Sequence, residues 1–273
     1  MPETVREYCL SLLEGGSLED KLRPPVAADG ERLSDEAPGT PIVLDAPRRD
    51  AAIALSQRTP RLPGLRELEG EQARSVCLER FAHHELCAVE LFAWALLAFP
   101  SAPPAFRRGL LATLAEEQLH LRLYLERLWA LGARFGERPL SDYLWQHIDR
   151  IAHSAHPLAS FLCAMGLTFE QANLDYSLLY RDAFRAAGDE ESARVMQRVH
   201  DDEVRHVRFA ARWLASFDDD AADDAERYLR HVPFPLSATR AKARRFDVAS
   251  RRRAGLSDAL ITLVRDARPS HQT

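Results

Sequence analysis

The sequence has no CxxC pair and only four cysteines, Cys9, Cys77, Cys87 and Cys163. Their scatter fits buried free thiols in a reducing cytoplasm better than disulfides. Runs of alternating apolar and polar residues rich in β-branched side chains are missing, so no strands are expected. The first ten residues, MPETVREYCL, lack a basic stretch followed by an apolar one, and no secretion signal is expected. The longest nearly apolar run, LFAWALLAFP, is too short to cross a bilayer. Positive charge is not in excess either: a net charge of −5 gives no overall attraction to nucleic acid or anionic lipid. What remains is 273 residues, 46% apolar and 28% charged, in which Ala, Leu, Arg and Glu dominate. That composition predicts a globular, helical protein, expected in the cytoplasm.

Three regions are expected along the chain. Residues 1–68 hold a short helix near 3–14, then a segment rich in proline and charge. That segment breaks helices repeatedly and is expected to wrap the body; a disordered linker is the alternative. Residues 69–216 hold four long helical patterns. The first ends at Pro100, and the second begins after the SAPPAF stretch, where proline suits a first turn, and ends near Gly132. The third spans about 157–187 and the fourth about 189–216. A longer connection, 133–156, carries a short helix at SDYLWQHIDRIA. Two tight hairpins joined by one long crossover predict an all-α antiparallel four-helix bundle. Residues 217–273 form a helical, basic extension, with one helix capped at Ser257.

The chemistry lies in a repeated spacing. Glu117 and His120 stand three residues apart in the second pattern, and Glu203 and His206 do the same in the fourth. Residues at i and i+3 project from one helix face, one turn apart. Glu85 lies in the first pattern and Glu170 in the third. Glu85 to Glu117 is 32 residues and Glu170 to Glu203 is 33, so the two hairpins look like copies. At 1.5 Å per residue, Glu85 and Glu117 each lie roughly 20 Å from their shared turn. Glu170 and Glu203 match within a turn. Each acid sits in a largely apolar stripe, such as Leu78, Phe81, Val89 and Phe92 around Glu85. Four buried carboxylates at one level would repel unless neutralised. Two divalent cations supply +4 against −4, and six oxygen and nitrogen donors suit iron or manganese. A Glu on each of two helices plus Glu-x-x-His on the other two is the pattern of dinuclear carboxylate proteins.

With those residues in place, the chain resembles the ferritin-like superfamily, whose dinuclear members share this ligand order. More narrowly, HHELCAVELFAWALLAFP, EEQLHLRLYLERLWALGARFGERPL, DDEVRHVRF and RRRAGLSDAL resemble a bacterial ferritin-like family known only as a domain of unknown function. A more distant likeness is to the dinuclear tRNA hydroxylases. The close resemblance covers most of residues 70–260 and implies the fold and the dimetal site, not a substrate. It implies that Glu117 and Glu203 bridge two irons, or a manganese–iron or manganese pair. Glu85 and Glu170 would be terminal ligands, and His120 and His206 would each cap one metal.

Neighbouring residues extend the reading. Asp202 and Glu116 are expected to accept from His120 and His206 respectively, orienting the rings; solvated acids on the flank are the alternative. Asn173, one turn after Glu170, could hydrogen-bond a ligand, whereas Ala88 leaves space after Glu85. Tyr124 is the candidate catalytic residue, redox-active or hydrogen-bonding, with a packing role as the alternative. His200 is a candidate support for the ligands or a capped core histidine. Gly166 is explained equally by room beside the metals or by close helix packing. His83 and Glu90 are expected to tie the helices to the flanking segments, and Trp94 to pack.

The expected function is O2-dependent oxidation or hydroxylation of a small molecule or modified substrate, with an electron donor. Iron handling, as a ferroxidase or peroxide scavenger, is the alternative, although long extensions would hinder cage packing and a rubredoxin-like centre needs absent CxxC pairs. RNA modification is a lesser reading. It rests on the basic tail (Arg240, Lys242, Arg244, Arg245, Arg251, Arg252, Arg253), which could equally pair with acids such as the 218–224 run.

Overall fold

The computed structural model describes residues 3–27 and 30–268. They are mostly helical and divide into two compact units, Met1–Asp149 and Arg150–Thr273.

In the first unit, α1 (Val5–Glu14) and α2 (Leu18–Leu22) each open on a capping box. Thr4 and Glu7 exchange side-chain and backbone bonds, as do Ser17 and Asp20, which satisfies otherwise orphaned N–H groups. The long helices are α3 (Glu71–Ala98) and α4 (Pro104–Ala130), packed as a hairpin. Pro104 opens α4, where a missing N–H costs nothing, and Gly132 follows it at φ +70°. α3 is long and apolar enough to span a membrane by length and composition, but 89% of its apolar window is buried inside the protein.

The N-terminal segment is anchored to this hairpin by buried charge. Lys21 Nζ lies 3.2 Å from Glu90 Oε1, and Arg49 NH2 lies 2.7 Å from Glu90 Oε2. Trp94 Nε1 donates to the Leu44 carbonyl, and Gln118 of α4 donates to the carbonyls of Lys21 and Arg23. His83 Nε2 meets the Ser141 carbonyl at 2.7 Å. His83 and Glu90 therefore tie α3 to flanking chain, as expected of that pair. One expectation is corrected here. A short parallel pairing joins β1 (Leu55–Ser56) to β2 (Leu140–Ser141). Two residues per strand are too few for alternation to register in a sequence.

The second unit contains α5 (Ile148–Ala152, which starts at the end of the first), α6 (Pro157–Ala164), α7 (Gln171–Ala186), α8 (Glu190–Phe217), α9 (Asp224–His231), α10 (Val248–Arg253) and α11 (Asp258–Asp266). Ser257 caps α11 through the Leu260 N–H, as the sequence predicts. The third helical pattern is not one α-helix: Met165–Glu170 forms a π-helical turn between α6 and α7. Thr168 Oγ1 donates back five residues to the Cys163 carbonyl at 2.8 Å and meets the Tyr228 hydroxyl at 2.9 Å. Gly166 and Thr168, both weak α-helix formers, mark the interruption.

The basic tail is folded into this unit. Arg251 is fully buried, bonds Asp175 at 2.7 and 3.0 Å, and lies 3.8 Å over the Phe246 ring. Arg245 pairs with Asp182, Arg253 with Asp201 and Arg252 with Asp258. Lys242 donates to the carbonyls of Arg265 and Ala267. These acids lie on α7, α8 and α11, not in the 218–224 run. Within that run Asp218 is engaged by Arg230 and His231, each at 2.7 Å. The tail thus meets the neighbouring helices that its docking presents, which proximity in sequence does not reveal.

Candidate metal centre

In the first unit, Glu85 projects from α3, and Glu117 and His120 project from α4. One ligand atom from each lies within 4.8 Å of the others. His120 Nδ1 is 3.3 Å from Glu117 Oε2, and the three residues are 0–4% exposed. The i, i+3 spacing stacks Glu117 and His120 on one face, and the α3–α4 hairpin brings Glu85 to them. Ala88, one turn after Glu85, adds only a methyl group. Tyr124, one turn beyond His120, is buried with its ring centroid 5.7 Å from that of Phe81. Glu116 is half-buried.

In the second unit, Glu170 closes the π-helical turn, and Glu203 and His206 project from α8. Their ligand atoms also lie within 4.8 Å of one another. His206 Nδ1 is 3.6 Å from Glu203 Oε2 and 3.9 Å from Glu170 Oε1. Asn173 Nδ2 donates to Glu203 Oε1 at 2.8 Å. Gly166 lets the helices approach: a Cβ there would lie 2.1 Å from the Ala210 Cβ and 3.5 Å from Glu170 Oε2. Close packing against α8 therefore accounts for this glycine.

The remaining sequence candidates have definite places. Asp202 is buried and ion-paired with Arg198 and Arg205 of its own helix, both at 2.7 Å. Asp201 meets Arg253 and the Gln197 amide. His200 is clasped by two hydroxyls, Ser177 Oγ at Nδ1 and Ser250 Oγ at Nε2, both at 3.0 Å, which joins α8 to α7 and α10. Burial holds its imidazole below the ordinary value of 6.5.

Sequence reasoning missed the π-helical turn that carries Glu170. π-turns occur often at functional sites, because the extra residue re-aims the side chains that follow. The legible signal was a glycine and a threonine inside an otherwise apolar helix.

Each half presents two carboxylates and one imidazole in a buried setting. Such a set carries −2 unless protonated or bound to a cation, and one divalent ion balances it. Hard oxygen donors with a borderline nitrogen fit a first-row divalent metal. The residues present therefore fit a metal ion in either half. The family described as "Protein of unknown function (DUF455)" matches residues 17–262. No curated protein and no solved structure gives a significant match to the chain.

Proposed function

The chain belongs to that family, and since the family's description states no activity, we propose a function from the buried donor sets alone. Glu85, Glu117 and His120 together with Glu170, Glu203 and His206 hold two metal ions, iron or a manganese–iron pair, on a ferritin-like four-helix bundle. The protein is an O2-dependent oxidase or hydroxylase. The observation that supports this reading is that each hairpin, taken alone, gathers two carboxylates and one imidazole within 4.8 Å. The near-equal spacings of 32 and 33 residues add that the halves are copies of one design.

Glu117 and Glu203 would be shared by the two metals, Glu85 and Glu170 would each serve one, and His120 and His206 would each bind one through a ring nitrogen. When bound, two such metals supply redox chemistry with O2, and the carboxylates favour their higher oxidation states. The chain's own groups bind and orient. Asn173 holds Glu203, and Asp202 and Glu116 are assigned to fix the histidine rings. Tyr124 is the candidate to give or hold a proton or hydrogen atom beside the site. The substrate class is a small molecule or modified substrate, used with O2 and an external electron donor.

The test is anaerobic Fe(II) loading with metal counting, followed by O2 and optical spectroscopy. About two metals per chain and a new visible absorption are expected, by the charge balance of two divalent ions against four carboxylates. Uptake below about 0.5 metal per chain at saturating iron or manganese would overturn the reading, because it leaves most donor sets empty. Glu203→Ala is expected to lose metal while Asp202→Ala retains it. The reverse result would reassign the ligand.

A further inference from the structure

The two halves repeat in every ligand yet differ one turn after each leading glutamate. Glu85 is followed at that place by Ala88, and Glu170 by Asn173. Alanine has no donor. The asparagine amide lies 2.8 Å from Glu203 Oε1. A carboxylate only accepts, so the facing atom must be the NH2 group, and the orientation of the amide follows from chemistry.

The asparagine is itself held. Ser177 Oγ donates to its backbone carbonyl and also meets His200 Nδ1, whose other nitrogen meets Ser250. The amide therefore stands on a braced stretch of α7. Glu203 is 1% exposed, with its second oxygen 3.6 Å from His206 Nδ1. One oxygen is pinned and the other faces the histidine.

Resting on the dinuclear reading above, we propose that Asn173 is a positioning residue: its amide fixes the Glu203 carboxylate and so makes the two metal sites of this chain unequal. The half with Ala88 has no such device at the matching place. Cation binding to the Glu170–Glu203–His206 half thus depends on an amide that Ala88 cannot supply at the matching place. Groups that support metal ligands typically change affinity by ~10–100-fold when removed.

The probe is Co(II), titrated into the full-length apoprotein, with visible absorption reporting the coordination of each ion. Asn173→Leu keeps the side-chain size and removes the N–H, while Asn173→Gln keeps the amide at a longer reach. The wild type should bind two ions in two distinguishable steps. In Asn173→Leu one dissociation constant should rise by ~10-fold or more with a changed visible band, and the other, which shares Glu203, should rise by a clearly smaller factor. Asn173→Gln should fall between wild type and Asn173→Leu. Two unchanged constants and an unchanged spectrum in Asn173→Leu would overturn the proposal. Equal weakening of both steps, or matched loss in Asn173→Gln with lowered helical content, would also overturn it by showing a general packing role. A wild type that binds no Co(II), iron or manganese defeats the dinuclear reading itself, an outcome distinct from two ions bound with no effect of Asn173.

Discussion

Gly166→Ala tests whether close helix approach builds the half-site of the second unit. The added Cβ would lie 2.1 Å from the Ala210 Cβ. Ordinary carbon contacts lie near ~3.5–4.0 Å, so α8 or the π-helical turn must yield by more than ~1 Å. Overpacking of a core costs ~1–3 kcal/mol, and this shortfall belongs at the upper end because both partners sit on backbone, not on flexible side chains. Alanine recovers up to ~1 kcal/mol of helix propensity. The net loss is therefore about 2 kcal/mol, or roughly 4–8 °C in Tm for a chain of this size. Urea and thermal unfolding of the apoprotein measure it. The decisive comparison is the double variant Gly166→Ala/Ala210→Gly, which moves one methyl across the contact and should recover most of the loss. Full stability in Gly166→Ala, or no recovery in the double variant, would refute the packing argument. A weaker metal titration is also expected in Gly166→Ala, since the segments forced apart at Ala210 carry Glu170, Glu203 and His206.

Other perturbations follow from buried charge. Asp175→Ala strands Arg251, which is fully buried and bonded to both carboxylate oxygens. A loss of about 3–5 kcal/mol is expected in urea unfolding, and a loss under about 1 kcal/mol would show the pair to be dispensable. Glu90→Ala leaves Lys21 and Arg49 buried without their shared carboxylate. A similar ~3–5 kcal/mol should disappear, with proteolysis of the N-terminal segment increasing; resistance to protease equal to wild type would count against this anchor. His200 has its folded pKa lowered by burial, opposed by Asp201 and reinforced by Arg253. The folded state then binds fewer protons than the unfolded state, so stability is whole above 6.5 and is lost as pH falls below it. His200→Gln should flatten that decline in urea midpoints between pH 7.5 and 5.5, and an unchanged slope would exclude His200 as its source.

Much of this molecule was legible because periodicity and spacing are local. The helical class, the α3–α4 turn at Pro103 and Pro104, and the Ser257 cap follow from residue type and order. The Glu117–His120 and Glu203–His206 pairs follow from one-turn spacing, which needs no knowledge of a partner helix. The β1–β2 pairing was invisible because two residues carry no pattern. The tail cations could be counted but not paired, because a charge run does not name its acids.

By itself, then, the sequence determined the helical class, the repeated acid and histidine spacing, and the charge that any bound cation must balance. These are functions of neighbours along the chain. Tertiary structure alone decided that Met165–Glu170 widens into a π-turn, that Gly166 admits Ala210, and that Asn173 bonds Glu203. It also decided that Arg251 belongs to Asp175 and that two serines clasp His200. The reason is common to all five. Each depends on how closely segments approach in space, an energy set by packing and desolvation that no single segment carries in its own sequence.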